Sequence, residues 1–241
     1  MKPNAEDADI FARSGLLPMR GWLPRKPTAL AKDAILNELT RLKLRVNGKF
    51  VSSKIQDLPI FQQTGRMGQM VGGLDEVDRL FTDELLETME SLAGANLKRP
   101  STHAQILLSF PHKVEWSLDQ LNWHLDLAPP KTDFIPGVQA FLLLDDLQPQ
   151  GGSTLALAGS NKLHHVQTGK NAHDILRGAS DFQKNPEKFL KPQLIEGHQV
   201  QIVEMSGRAG DVFLMDLRVL HTPSVNARKN LRMMATHRFL R

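Results

Sequence analysis

The sequence predicts an α+β chain: a mainly helical first hundred residues, then an all-β core of antiparallel strands with helices flanking it. Three observations carry this. In the first stretch, apolar residues recur at three- and four-residue steps, the period of an amphipathic helix. After Pro100, short apolar runs are separated by Gly, Pro, Asn and Asp, the punctuation of strands and turns. Six such runs fall within ~140 residues with little helix between them, which favours a sandwich or barrel.

The elements follow in order. From Pro27, Leu30, Ile35, Leu36, Leu39 and Leu42 keep near-helical spacing, and Asn47-Gly48 ends the pattern. Residues 49–73 are polar and contain glycine, and read as loop or short strand. Val77, Leu80, Phe81, Leu85, Met89 and Leu92 form one apolar face of a second helix, which Gly94 stops. Candidate strands are 104–110, 137–144, 153–158, 200–205, 211–216 and 231–240. Residues 148–152 make a tight turn. The long polar stretch 164–197 reads as a loop with helical turns, placed near the mouth of a site. Residues 1–241 are taken as a single domain, with 1–100 as helical support and substrate-side region and 101–241 as the core.

Composition narrows the function classes. The chain of 241 residues has an ordinary apolar fraction and no cysteine, so disulfides, zinc-thiolate sites and thiol nucleophiles are excluded. No apolar run approaches the ~20 residues that cross a bilayer. The first residues lack the pattern of a secretory signal, and a cytoplasmic protein is expected. The net charge of +4 is spread out and aromatics are few, which argues against a nucleic-acid partner. Surplus arginine and lysine suit a small anionic substrate or co-substrate. Assembly into a homo-oligomer is left open.

Two elements carry chemistry. In Trp123-His124-Leu125-Asp126, an extended backbone would point His124 and Asp126 to one side. Far downstream, Leu220-His221-Thr222-Pro223 follows a strand-like run. Each piece alone is common in proteins. Together they supply two imidazole nitrogens and one carboxylate, the facial triad of non-haem iron(II) oxygenases, and leave three coordination positions open. Two of these can take a chelating 2-oxo acid and the third dioxygen. Arg232 lies eleven residues after His221, between apolar neighbours on the last candidate strand. There its guanidinium could grip a carboxylate through two parallel hydrogen bonds. Arg228 is the rival on spacing, but it sits in a polar turn.

These pieces, in this order, resemble the phytanoyl-CoA dioxygenase family of iron(II)- and 2-oxoglutarate-dependent oxygenases. The resemblance runs from about His103 to Arg241. It includes Trp123-His124-Leu125-Asp126, Gly151-Gly152-Ser153-Thr154-Leu155, Ala158-Gly159-Ser160-Asn161, Ala209-Gly210-Asp211-Val212, His221 with Pro223 and Asn226, and Arg232. Asn161 stands where the family usually has histidine. The first hundred residues resemble the family only in being helical.

The resemblance implies a double-stranded β-helix, a jelly-roll or cupin-like barrel. It implies iron(II) held by His124, Asp126 and His221, with 2-oxoglutarate and O2 as co-substrates, and hydroxylation of a C–H bond with release of succinate and CO2. Phe141 would line the co-substrate pocket, and either Gln105 or Lys113 would contact the co-substrate. Pro223 replaces a usual hydroxyl donor, so that contact would be absent or supplied by Thr222 or Ser224. Related halogenases lack the carboxylate that Asp126 retains, which favours hydroxylation. Arg66, Trp116, Lys131, Lys162, His164, His165 and Arg238 are candidates for gripping the substrate. A free or N-modified amino acid is the first expectation. The alternatives are a cupin-like metal-binding module without turnover and a zinc hydrolase.

Overall fold

The computed structural model describes residues 3–51, 60–99, 103–128 and 132–241. Helix α1 (Ala5–Ser14) is capped by a reciprocal pair, Asn4 with Asp7, and ends at Gly15. Strand β1 (Leu16–Met19) follows directly. Helix α2 (Arg25–Arg41) buries Thr28, Ala31, Ile35 and Leu39. Leu30, assigned to that stripe from the sequence, is 53% exposed because it sits one position off the buried face. Asn47-Gly48 then turns a small hairpin between β2 (Arg45–Val46) and β3 (Lys49–Phe50), both turn residues having positive φ.

Within 49–73 the structure corrects the expectation of loop or short strand. Helix α3 occupies Ile60–Val71, while residues 52–59 lie outside the described residues. Glycine hides this helix from a propensity reading, yet the packing needs it. A Cβ on Gly68 would come within 2.4 Å of the Ile106 carbonyl, so only glycine lets the helix approach that strand. The second predicted helix is two helices, α4 (Asp75–Asp78) and α5 (Asp83–Ala93). Thr82 caps the start of α5 and Gly94 ends it at φ 61°.

The six candidate strands all form, with ends within two residues of those predicted. They are β4 (Gln105–Ser109), β5 (Gly137–Leu143), β6 (Thr154–Ala158), β8 (His198–Glu204), β9 (Val212–Asp216) and β11 (Arg232–Leu240). Four short strands were not anticipated: β1, β2, β7 (Gln193–Ile195) and β10 (His221–Pro223). Between β6 and β7, the polar stretch carries α6 (Ala172–Gly178) and α7 (Ser180–Lys184), as its reading as helical turns expected.

The strands build two antiparallel sheets. The larger runs β1-β9-β5-β11-β4 and the smaller β10-β6-β8-β7. Alternation along the larger sheet separates two cores. Its outer face, with Ile106, Leu108, Val138, Leu142, Leu214 and Ala235, packs on Ile35 and Leu39 of α2 and on Leu85 and Met89 of α5. Its inner face, with Leu107, Phe141, Leu143, Phe213 and Met234, meets Ala156 and Ala158 of the smaller sheet. A third cluster joins Leu155 and Leu157 on the far side of the smaller sheet to Leu176, Phe182 and Phe189, with Trp123 and Leu125 packed against it. The architecture is the double-stranded β-helix, backed by helices on its larger sheet.

Candidate metal centre

The His-x-Asp segment is not a full strand. His124 makes one antiparallel bridge to His221, with backbone bonds of 3.0 and 3.1 Å in the two directions. That bridge brings residues nearly a hundred positions apart side by side, and their rings lie 4.5 Å apart. Each imidazole is oriented through its backbone. Nδ1 of His124 is 2.9 Å from the Asn122 carbonyl, and Nδ1 of His221 is 3.2 Å from that of Val219. A carbonyl only accepts, so each Nδ1 carries the proton and each Nε2 offers a lone pair.

Asp126 completes the cluster. Its Oδ1 is 3.8 Å from Nε2 of His124, and its Oδ2 is 3.6 Å from Nε2 of His221. One ligand atom from each residue lies within 4.8 Å of the others. These separations are too long for hydrogen bonds. They match ligands placed around a central ion, which sit about 3–4 Å apart when each bond is near 2.1 Å. Burial opposes ionisation of Asp126, but His221, Arg238 and His124 outweigh it and hold the carboxyl down at about 2. Burial, and then the neighbouring His221, push His124 below the usual imidazole range, towards the neutral form that binds metal.

The three groups open on a cavity of about 180 Å³ between the sheets. Arg232, at the start of β11, lines the same cavity and is 1% exposed. Its Nη1 donates to the Gly152 carbonyl at 2.6 Å, whereas Nε and Nη2 are buried without a partner among the described residues. Gly152 has φ +81°, and a Cβ there would come within 2.8 Å of Asn226, so the turn that presents this carbonyl requires glycine. Burial pushes the guanidinium down to about 10, which still leaves it charged at neutral pH. A buried charge with two idle donors is costly unless an anion joins it.

Other site candidates divide. Phe141 lines the cavity and meets His221 edge-on, with ring centroids 6.3 Å apart. Gln105 lines it too, while Lys113 is exposed and does not. Thr222 points away: its hydroxyl donates to the Pro223 carbonyl at 3.2 Å, while His221 and Pro223 face the cavity. Ser224 donates to the Ser153 carbonyl at 2.8 Å. Arg228 is taken up by the Pro149 carbonyl and the Gln150 side-chain oxygen, as its place in a polar turn suggested.

The substrate-side candidates are more scattered. Arg238 stands 3.6 Å from Asp126. His164 bonds the Arg218 carbonyl, and His165 pairs with Glu196. Trp116 packs against the third cluster, Lys162 borders a separate cleft beside α1, and Arg66 is exposed. Lys131 lies outside the described residues.

Sequence reasoning missed Gln139, Thr154 and Thr236, which also line the cavity. Gln139 donates to the Thr236 hydroxyl at 3.0 Å, and that hydroxyl donates to the Ala140 carbonyl at 2.8 Å. The Gln139 side-chain carbonyl is left without a partner among the described residues. The signal was present: Gln139 is two residues from Phe141, and Thr236 four from Arg232, on the same strand faces.

Comparison with known proteins agrees with this architecture. A family model described as phytanoyl-CoA dioxygenase matches residues 15–234. No curated protein sequence matches. Among solved structures, the non-haem α-ketoglutarate-dependent carbocyclase SnoK from nogalamycin biosynthesis superposes with a TM-score of 0.61 at 16% identity, covering 99% of this chain and 84% of its own. AviO1 from Streptomyces viridochromogenes Tue57 gives 0.60 at 14% identity, covering 100% and 96%. EctD from S. alaskensis, solved with 2-oxoglutarate and 5-hydroxyectoine, gives 0.61 at 15% identity, covering 99% and 76%.

Proposed function

The chain belongs to the phytanoyl-CoA dioxygenase family, and we propose that it is an iron(II)- and 2-oxoglutarate-dependent hydroxylase of a small, carboxylate-bearing molecule. His124, Asp126 and His221 hold the metal, and Arg232 holds the remote carboxylate of the co-substrate. One observation carries the reading. The two unpartnered nitrogens of a buried guanidinium open on the same cavity as three convergent ligand atoms.

When bound, the iron and 2-oxoglutarate supply the oxidising power, activating O2 as the 2-oxo acid is converted to succinate and CO2. The chain supplies position and shelter. The Nδ1 bonds to backbone carbonyls keep both imidazoles turned towards the metal. Three protein ligands leave the remaining positions for co-substrate and oxygen. Arg232 fixes the far end of the dicarboxylate through charge-assisted hydrogen bonds, and Phe141 walls the pocket. Gln105, at the rim, is placed to contact the co-substrate.

A free or N-modified amino acid is the favoured substrate, supported by Arg238, which stands 3.6 Å from the metal-ligand candidate Asp126 and is not needed by the co-substrate. EctD, a similar fold, was solved with two small molecules. Anaerobic addition of iron(II) and 2-oxoglutarate should produce a weak visible charge-transfer band, followed by succinate once oxygen is admitted. His221→Ala should abolish both. A zinc hydrolase or an inert module would show neither in the unaltered protein, and that result would overturn the reading. The substrate is then sought by screening for succinate release with a mass gain of one oxygen.

A further inference from the structure

The strand that carries Arg232 carries a second arginine on the same face. Arg232, Met234, Thr236 and Arg238 alternate inward along β11. Arg232 is sealed at one end, while the Arg238 side chain is 40% exposed at the other. Arg238 borders a cavity of about 280 Å³ that shares the wall residues Gln105 and Thr236 with the metal cavity, so the two are neighbours. The basic groups around it differ in commitment. His103, on the same wall, is engaged 2.7 Å from Asp78. Arg238 has a single charged neighbour among the described residues, Asp126 at 3.6 Å, which is too long for a hydrogen bond.

Charge counting shows what is missing, and this step rests on the iron and 2-oxoglutarate reading. Two positive charges on the metal and one on Arg232 are matched by one negative charge on Asp126 and two on the dicarboxylate. Once metal engages Asp126, the charge of Arg238 is left unbalanced at the mouth of a partly enclosed site. An arginine in that position, with no hydrogen bond from its planar fork of donors among the described residues, selects a carboxylate.

We propose that Arg238 is the anion subsite for the primary substrate, separate from the Arg232 subsite for the co-substrate. The substrate carboxylate sits in the cavity bordered by Arg238, Gln105 and Thr236, and the rest of the molecule extends towards the metal. The side-chain amide of Gln105 borders both cavities and can donate to either ligand.

The test uses the full chain loaded with zinc(II) or manganese(II) and saturated with 2-oxoglutarate. The probes are a panel of N-acetyl amino acids and their matching primary amides, followed by ligand-observed NMR. Manganese broadens the signals of probes that lie near the metal, and the zinc form is the reference. Acids should bind near the metal at least tenfold more tightly than their amides. That preference should be lost in Arg238→Gln and partly kept in Arg238→Lys, while 2-oxoglutarate still binds Arg238→Gln. The subsite is overturned if no acid binds near the metal, if amides bind as well as acids, or if Arg238→Gln keeps the preference. Failure of 2-oxoglutarate to bind the unaltered metal-loaded protein would instead remove the parent reading, and the subsite with it.

Discussion

The two faces of the five-stranded sheet are made of the same strands and do different work. The outer face, against the helices, is mostly apolar: Ile106, Leu108, Val138, Ala140, Leu142, Val212 and Leu214 all join one cluster, and its buried polar groups have partners, Asp216 pairing with Arg218 and His237 meeting the Phe81 ring. The inner face is mixed. Leu143, Met215 and Met234 close part of it, while Gln139, Thr236 and Arg232 are polar groups buried beside the cavity. One face gains free energy by leaving water. The other gives some of it up, keeping idle donors and acceptors for a ligand. Stability and binding should therefore respond separately to changes on the two faces.

The largest separation is expected from Leu142→Ala. Leu142 is fully buried on the outer face, so truncation should cost about 2–5 kcal/mol in denaturant unfolding. The folded fraction should bind 2-oxoglutarate with unchanged affinity, and a parallel loss of affinity would break the comparison.

Arg232→Met should do the reverse. Two charge-assisted hydrogen bonds together worth about 3 kcal/mol should be lost, weakening 2-oxoglutarate roughly a hundredfold in anaerobic titration. The ligand-free variant should melt no lower than the parent, because an uncompensated buried charge is gone. A large drop in melting temperature would show that Arg232 is structural.

The smallest effect concerns β9, which contributes to both faces. Asp211 pins the turn before it, accepting from Arg20 at 2.7 Å, from the Gly21 amide at 2.8 Å and from the Arg208 amide at 3.0 Å. Burial works against its ionisation, but these donors prevail and hold the carboxyl below its ordinary value of 3.8. The ionised form is thus the one that the fold prefers. Its contribution is present above that value and is lost as pH falls through the lower folded one. Asp211→Asn should cost about 1 kcal/mol at neutral pH, and the difference from the parent should close in acid. Unfolding curves across pH check this, and a gap that persists in acid would assign the effect to packing.

Much of this layout was readable before any coordinates. The strands of five or more residues were placed within two residues of their true ends, because an apolar run bounded by turn residues is a property of the chain itself. β1, β7 and β10 have three or four residues each and carry too little periodicity to be seen. α3 was hidden by Gly68, whose role is to let Ile106 come close. An extended backbone at the His-x-Asp segment is expected from the sequence, but what holds it is the bridge between His124 and His221. Gln139 and Thr236 follow from Phe141 and Arg232 by alternation, once it is known which face looks inward.

The ligand types, their order and the arginine downstream are properties of the sequence, and they suffice to suggest the family. Convergence is not. Three ligand atoms within 4.8 Å require a sheet pairing across nearly a hundred residues, which no local pattern encodes. Nor could the chain alone say that Arg232 is buried with two donors idle, or that Arg238 stands at the open end of the same face. Burial is a relation between distant segments. It is burial that makes one arginine's unused hydrogen bonds costly and leaves the other's within reach of solvent.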